Sequence, residues 1–253
     1  VSRMKPYITL LVGVLSVSFA VIFIRLADAP PLVIATYRMT IASVILIPIA
    51  SMKSFKGINN LSRRDMLLVL LASVFLALHF WLWITSLSYT SIASSIVLAT
   101  SHPAFVAAMS YFLWGERLNR ITISGIVVAL IGIVVINYSG FIFGSRAILG
   151  DVLALLSGFV IGAYFIIGGQ LRSRIDIVIY LTMIYTCSAV ILLIATLLLG
   201  YDLFGYSYTT YLMLILLAIV PQLIGHSALI LAIRLMPVTL VSVAILGEPV
   251  GAT

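Results

Sequence analysis

Residues 66–87 read MLLVLLASVFLALHFWLWITSL, a run whose single titratable side chain is His79. A helix rises about 1.5 Å per residue, so a run of this length reaches across the roughly 30 Å hydrocarbon core of a bilayer. In lipid, the backbone polar groups of a spanning segment are satisfied only in a helix or a closed strand barrel. A barrel strand alternates apolar and polar residues, and this run does not. It reads as a membrane-spanning helix.

Working outward, comparable runs occupy 7–24, 32–50, 92–114, 121–138, 150–171, 177–199, 211–233 and 238 onward. Turn signals separate them, among them Asp28-Ala29-Pro30-Pro31, Ser139-Gly140, Gly200-Tyr201-Asp202 and Met236-Pro237. The fold class expected is therefore an all-α membrane protein, a polytopic helical bundle. Composition agrees. Of 253 residues, 63% are apolar and 8% charged, and mean hydropathy is +1.29. Soluble domains carry about 45–50% apolar and about 25% charged residues. A soluble enzyme and a disordered chain are both excluded. No small-x-small cleavage pattern follows the first run before Arg25, so it reads as a retained helix. One cysteine, Cys187, allows no internal disulfide.

The net charge of +7 reads as membrane topology, and nucleic acid is not expected as a partner. With a cytoplasmic N-terminus, the inside segments carry Arg3, Lys5, Lys53, Lys56, Arg63, Arg64, Arg117, Arg120, Arg172, Arg174 and Arg234. The outside segments carry only Arg25 and Arg146, and Arg38 lies within the second helix. This places the chain in the cell (inner, cytoplasmic) membrane as a multi-pass protein with its N-terminus inside.

Sliding the chain along itself by 146 residues gives a gap-free match that sets Thr36 on Thr182, Thr40 on Thr186 and Pro103 on Pro249. Residues 1–140 then form one five-helix repeat, and 146–253 form the second through its fourth helix. Five is odd, so the second copy enters the membrane upside down, as in many secondary transporters. Ten helices are expected and about nine are present. The second copy would continue to about residue 286 by this repeat, so the end at Thr253 reads as a truncation.

Ionisable residues in hydrocarbon are functional candidates by default. Glu248 lies ten residues into the last helix, roughly 15 Å deep. The repeat sets it on His102, and each precedes a proline, Pro249 and Pro103. A mid-helix proline frees the carbonyl four residues back, here Ile245 and Ala99. Glu248 would gain and lose a proton during a transport cycle. His79 and His226 occupy near-equivalent positions; His79 shares a helix face with Trp83, and His226 with Gln222. All four could line a central cavity, or pack as ordinary core and interface residues. Arg38 either snorkels outward or points inward to an anion or carboxylate. Tyr164 and Gln170 are weaker candidates. Small residues such as Ser16, Ser157, Gly158 and Gly162 suit close helix packing. Phosphate loops, metal-ligand spacings, HExxH and G-x-S-x-G are missing, so no enzyme activity, cofactor or metal is expected.

Three stretches carry a resemblance: Ala35-Thr36-Tyr37-Arg38; Tyr89-Thr90-Ser91-Ile92-Ala93-Ser94-Ser95, then Pro103, then Leu113-Trp114-Gly115-Glu116-Arg117; and Leu246-Gly247-Glu248-Pro249-Val250. In order and spacing the chain resembles the drug/metabolite transporter superfamily, in its EamA-domain branch. The resemblance implies ten helices in two inverted repeats, a central cavity, and transport, often export, of amino acids, other small metabolites or drugs. The expected activity is thus that of a secondary transporter, an exporter working by alternating access with proton coupling an open option. A passive channel and a non-functional truncated remnant are the alternatives. The expected partners are a small-molecule substrate and the lipid bilayer, with a homodimer left open.

Overall fold

The computed structural model describes residues 4–53, 61–115, 145–171 and 175–247, with isolated positions between 120 and 135. Of the predicted fifth helix, 121–138, only scattered positions are described, and those are helical. The described helices are α1 (Lys5–Ser18), α2 (Ala20–Leu26), α3 (Pro31–Ser51), α4 (Arg63–Ser86), α5 (Ile92–Ala99), α6 (His102–Trp114), α7 (Ser145–Leu171), α8 (Ile177–Leu198), α9 (Tyr208–Leu217), a π-helical stretch (Ala218–His226), α10 (Ser227–Leu235) and α11 (Val238–Ala244). Seven helical stretches among the described residues are long and apolar enough to cross a membrane. The protein is an all-α, polytopic membrane bundle. Large apolar side chains such as Leu15, Leu70, Phe112 and Leu198 face outward, as lipid contact requires and water would not tolerate in such number.

Short polar residues start these helices by satisfying the orphan N–H groups of the first turn. Ser62 and Asp65 form a reciprocal capping box at α4. Ser91, Asp176 and Ser207 cap α5, α8 and α9. Gly115, in a left-handed conformation at φ 66°, ends α6.

Two expected single helices are broken. The first is interrupted at Phe19, one residue after Ser18 donates its hydroxyl to the Val14 carbonyl at 2.9 Å; such back-bonding bends helices. The fourth is interrupted at Thr100 and Ser101, not kinked within a continuous rod. Pro103 therefore stands in the first turn of α6, where its missing N–H costs no hydrogen bond. In the eighth span, Pro221 lies inside the π-helical stretch, a widened ladder that absorbs the lost bond.

The contacts define helix directions. α3 and α8 run antiparallel: Thr36 meets Thr196 at 2.7 Å, Ser43 meets Thr186 at 2.6 Å, and Lys53 meets Asp176 at 3.0 Å. α4 and α7 run antiparallel, with His79 at Ser157 and Thr90 at Gly150. α1 runs antiparallel to the eighth span, with Gly13 against Leu229 and Gly225 against Val17. α5–α6 run parallel to α7, with Ser94 at Asp151, Ala99 at Gly158 and Val106 at Gly162. The first three spans alternate in direction, and α7, α8 and α9–α10 alternate in the opposite sense. Small residues permit these approaches: a Cβ on Gly158 would lie 2.9 Å from the carbonyl oxygens of both Leu98 and Ala99.

Candidate functional site

Arg38 is fully buried at 0% exposure. The outward-snorkelling alternative is therefore corrected: α3 turns its cation inward. Its Nε donates to Gln222 Oε1 at 2.7 Å, and its Cζ stands 3.9 Å from the centroid of the Phe80 ring. A guanidinium over an aromatic face gains more when it is removed from water, which offsets part of the cost of burying the charge.

Around this cation the aromatic residues of α4 form a wall. The His79 ring stacks on Trp83 with centroids 6.0 Å apart and planes 10° apart. Its Nδ1 lies 3.0 Å from the Ser157 carbonyl oxygen. A carbonyl only accepts, so Nδ1 carries the proton and Nε2 is the basic nitrogen. His226 approaches His79 at 6.4 Å and meets Phe80 edge-on at 5.2 Å. His102, at the start of α6, meets Phe165 of α7 edge-on at 5.4 Å.

These groups share one cavity. Arg38, His79, Trp83, His102 and His226 all line a partly open cavity with about 450 Å³ of space between atoms, and Val17, Ile161, Phe165 and Ile245 are among its other lining residues. Several inward polar atoms are buried with no hydrogen-bond partner among the described residues: Trp83 Nε1, His102 Nδ1, Gln222 Nε2 and His226 Nδ1. Buried polar groups are ordinarily paired, so these offer donors and acceptors to a bound molecule. The arrangement suits a small solute with one anionic group at Arg38 and an apolar or aromatic body against the rings. Among the described residues no group of His, Cys, Asp or Glu is gathered to hold a metal ion.

The candidates thus divide. Arg38, His79, Trp83, His102 and His226 come together on one cavity, with Gln222 bonded to Arg38. Pro103 starts the helix that carries His102. Tyr164 is buried one residue before the cavity-lining Phe165 and does not line the cavity itself. Glu248 and Pro249 lie outside the described residues, just beyond Ile245, which lines the cavity. Sequence reasoning missed Phe80, Phe165, Thr100 and Tyr185. Tyr185 stands with its hydroxyl 3.2 Å from Ser227 Oγ. Phe80 had one available signal: the 146-residue offset sets it on His226.

Comparison with known proteins gives three findings. The sequence profile of the EamA-like transporter family matches residues 4–138. The uncharacterized transporter YetK of Bacillus subtilis (strain 168) is 28% identical over 143 residues, 54% of this chain and 42% of that relative. The match spans less than half the length of this curated relative. A solved crystal structure aligns over 100% of this chain and 87% of its own, with a TM-score of 0.78 at 18% identity. At that identity the likeness speaks for the fold alone.

Proposed function

The chain belongs to the EamA-like transporter family, and we propose that it is a secondary transporter, an exporter of amino acids or related small metabolites that works by alternating access. It is a multi-pass membrane transporter of the drug/metabolite type. The observation that carries the finer reading is the shared cavity. Arg38, His79, Trp83 and His102 come from the first half of the chain and His226 from the second. A carrier needs one site held between two bodies that can rock against each other.

Residues 1–140 and 146–253 are proposed as those bodies, related by inversion. The opposed directions of the first three spans and of α7 to α10 support this. Positive-inside logic makes the face that holds Lys53, Arg63 and Arg234 the cytoplasmic one. The substrate class follows from the charges. Arg38 is the one cation lining the cavity among the described residues, which suits a single carboxylate. A phosphate ester usually draws several cationic partners. Glu248 is the proposed proton-exchanging group, with export following the family resemblance.

Purified protein in proteoliposomes, offered a panel of amino acids and amines, tests the reading. Saturable uptake of a carboxylate-bearing amino acid is expected, with its proton dependence abolished in Glu248→Gln. Exchange of sugar phosphates alone would contradict the substrate class.

A further inference from the structure

A second polar cluster lies between the cavity and the face where Lys53 meets Asp176. Tyr164 of α7 and Tyr180 of α8 are buried at 0% and 1% exposure. Neither hydroxyl finds a hydrogen-bond partner among the described residues. Tyr164, Tyr180 and Tyr185 are within electrostatic reach of one another. Arg234, near the end of α10, brings its Cζ to 5.8 Å from the Tyr180 ring centroid. Its Nε and Nη2 are also buried without a partner among the described residues. The cluster adjoins the cavity directly, since the Tyr164 and Phe165 rings lie 5.6 Å apart.

A phenol hydroxyl held in a packed bundle without a partner lowers stability, and phenylalanine would fill the same space without that cost. Tyr180 beside the buried Nε and Nη2 of Arg234, with Tyr164 within electrostatic reach of Tyr180, is poor packing and good recognition chemistry. Phenol O–H groups and the planar guanidinium fork all donate, and a carboxylate accepts from all three.

We propose that Tyr164, Tyr180 and Arg234 form a second substrate site, on the Lys53 side of the cavity, that takes the carboxylate of the transported molecule when the path opens to that face. The proposal rests on the carrier reading above. The carboxylate passes from Arg38 to Arg234; Tyr185, whose hydroxyl meets Ser227 and the Gln222 carbonyl, is within electrostatic reach of both Arg38 and Tyr180.

Gly168 gives a probe beside the cluster, because a Cβ there would sit an ordinary 3.4 Å from the Tyr180 hydroxyl. The test uses Gly168→Cys in a Cys187→Ser background, in right-side-out and inside-out vesicles. Two membrane-impermeant thiol reagents are applied: anionic 2-sulfonatoethyl methanethiosulfonate and cationic 2-(trimethylammonio)ethyl methanethiosulfonate. Thr100→Cys, on the cavity wall, serves as the reference. The Gly168→Cys thiol should react from the Lys53 face. Its preference for the anionic reagent, relative to a free thiol in solution, should fall at least fivefold in Arg234→Gln and by a smaller factor in Tyr180→Phe. Should Gly168→Cys fail to fold, Tyr164→Cys reports from the same cluster. If Thr100→Cys reacts and the cluster thiol is inert from both faces, the cluster is packed core; the second site is then overturned while the carrier reading stands. A reactive thiol with a charge preference unmoved by Arg234→Gln overturns the carboxylate assignment. A wild-type protein without saturable transport overturns the carrier reading itself.

Discussion

Arg38 Nε and Gln222 Oε1 are 2.7 Å apart, so the buried cation of α3 is held by the π-helical stretch around Pro221. A π-helical ladder accommodates an irregularity that a regular helix cannot, and such stretches recur at functional sites. Any movement of the eighth span past α3 must therefore remake or carry this bond.

Gln222→Leu withdraws the acceptor from a buried, charged donor. Hydrogen bonds to charged groups contribute about 1.5–3 kcal/mol, so a stability loss of that order is expected, together with at least a tenfold loss of transport. Gln222→Glu retains an acceptor and should keep most of the stability. Thermal unfolding in detergent and proteoliposome uptake check both; a Gln222→Leu protein indistinguishable from wild type would remove Arg38 from the site.

Gly158→Ala sets a methyl group 2.9 Å from two backbone oxygens, those of Leu98 and Ala99. Backbone cannot swing aside as a side chain can. Overpacking of this kind costs about 1–3 kcal/mol, so the variant should unfold at a clearly lower temperature. Gly168→Ala meets only ordinary contact at 3.4 Å and should be close to neutral in the same assay.

Asp176 gives a pH prediction at the basic face. Burial works to raise its carboxyl, but hydrogen bonds from Lys53 Nζ and from the Val178 and Ile179 N–H groups, with the Lys53 charge, outweigh it and hold the carboxyl below its ordinary value. A lowered native value stabilises the fold at pH above the unfolded value, and that contribution disappears as pH falls through the native one. The pair is 42% and 41% exposed, so its worth is below about 1 kcal/mol. Asp176→Asn should lose only that, with the difference from wild type closing in acid. Asp176→Ala also loses the helix cap and should cost about 1 kcal/mol more. Melting temperatures across pH test the sign: a gap that widens in acid would contradict it.

The hydroxyl pair Thr36 and Thr196 joins α3 to α8 at 2.7 Å. Interhelical polar pairs in membranes couple by about 0.6 kcal/mol on average. A double-mutant cycle with Thr36→Val and Thr196→Val should return a favourable coupling of that size. Zero coupling would mean that this seam is held by packing alone.

The spans were legible because lipid demands long apolar runs, and all seven described crossings coincide with predicted ones. Arg38, His79, His102, Gln222 and His226 were legible for the converse reason, that polar groups in hydrocarbon need an explanation. The gathering of Arg38 and the three histidines on one cavity was not, because it depends on how α3, α4, α6 and the eighth span are rotated. The inward turn of Arg38 was hidden likewise, since α3 is apolar on every side. The break at Thr100 and Ser101 was misplaced because Pro103 marks only where an N–H is missing, and tertiary contacts decide where the chain bends. Phe80 carried only its match to His226 at the 146-residue offset, and Tyr185 gave no signal, since an aromatic residue in a membrane helix looks like any other packing residue.

Counterflow in proteoliposomes tests the central claim most directly. Vesicles loaded with an unlabelled amino acid from the active panel should transiently accumulate the labelled form above equilibrium, and Arg38→Lys should lose that overshoot while remaining folded. Linear, unsaturable flux with no overshoot, unchanged in Arg38→Lys, would contradict a carrier built around this cavity.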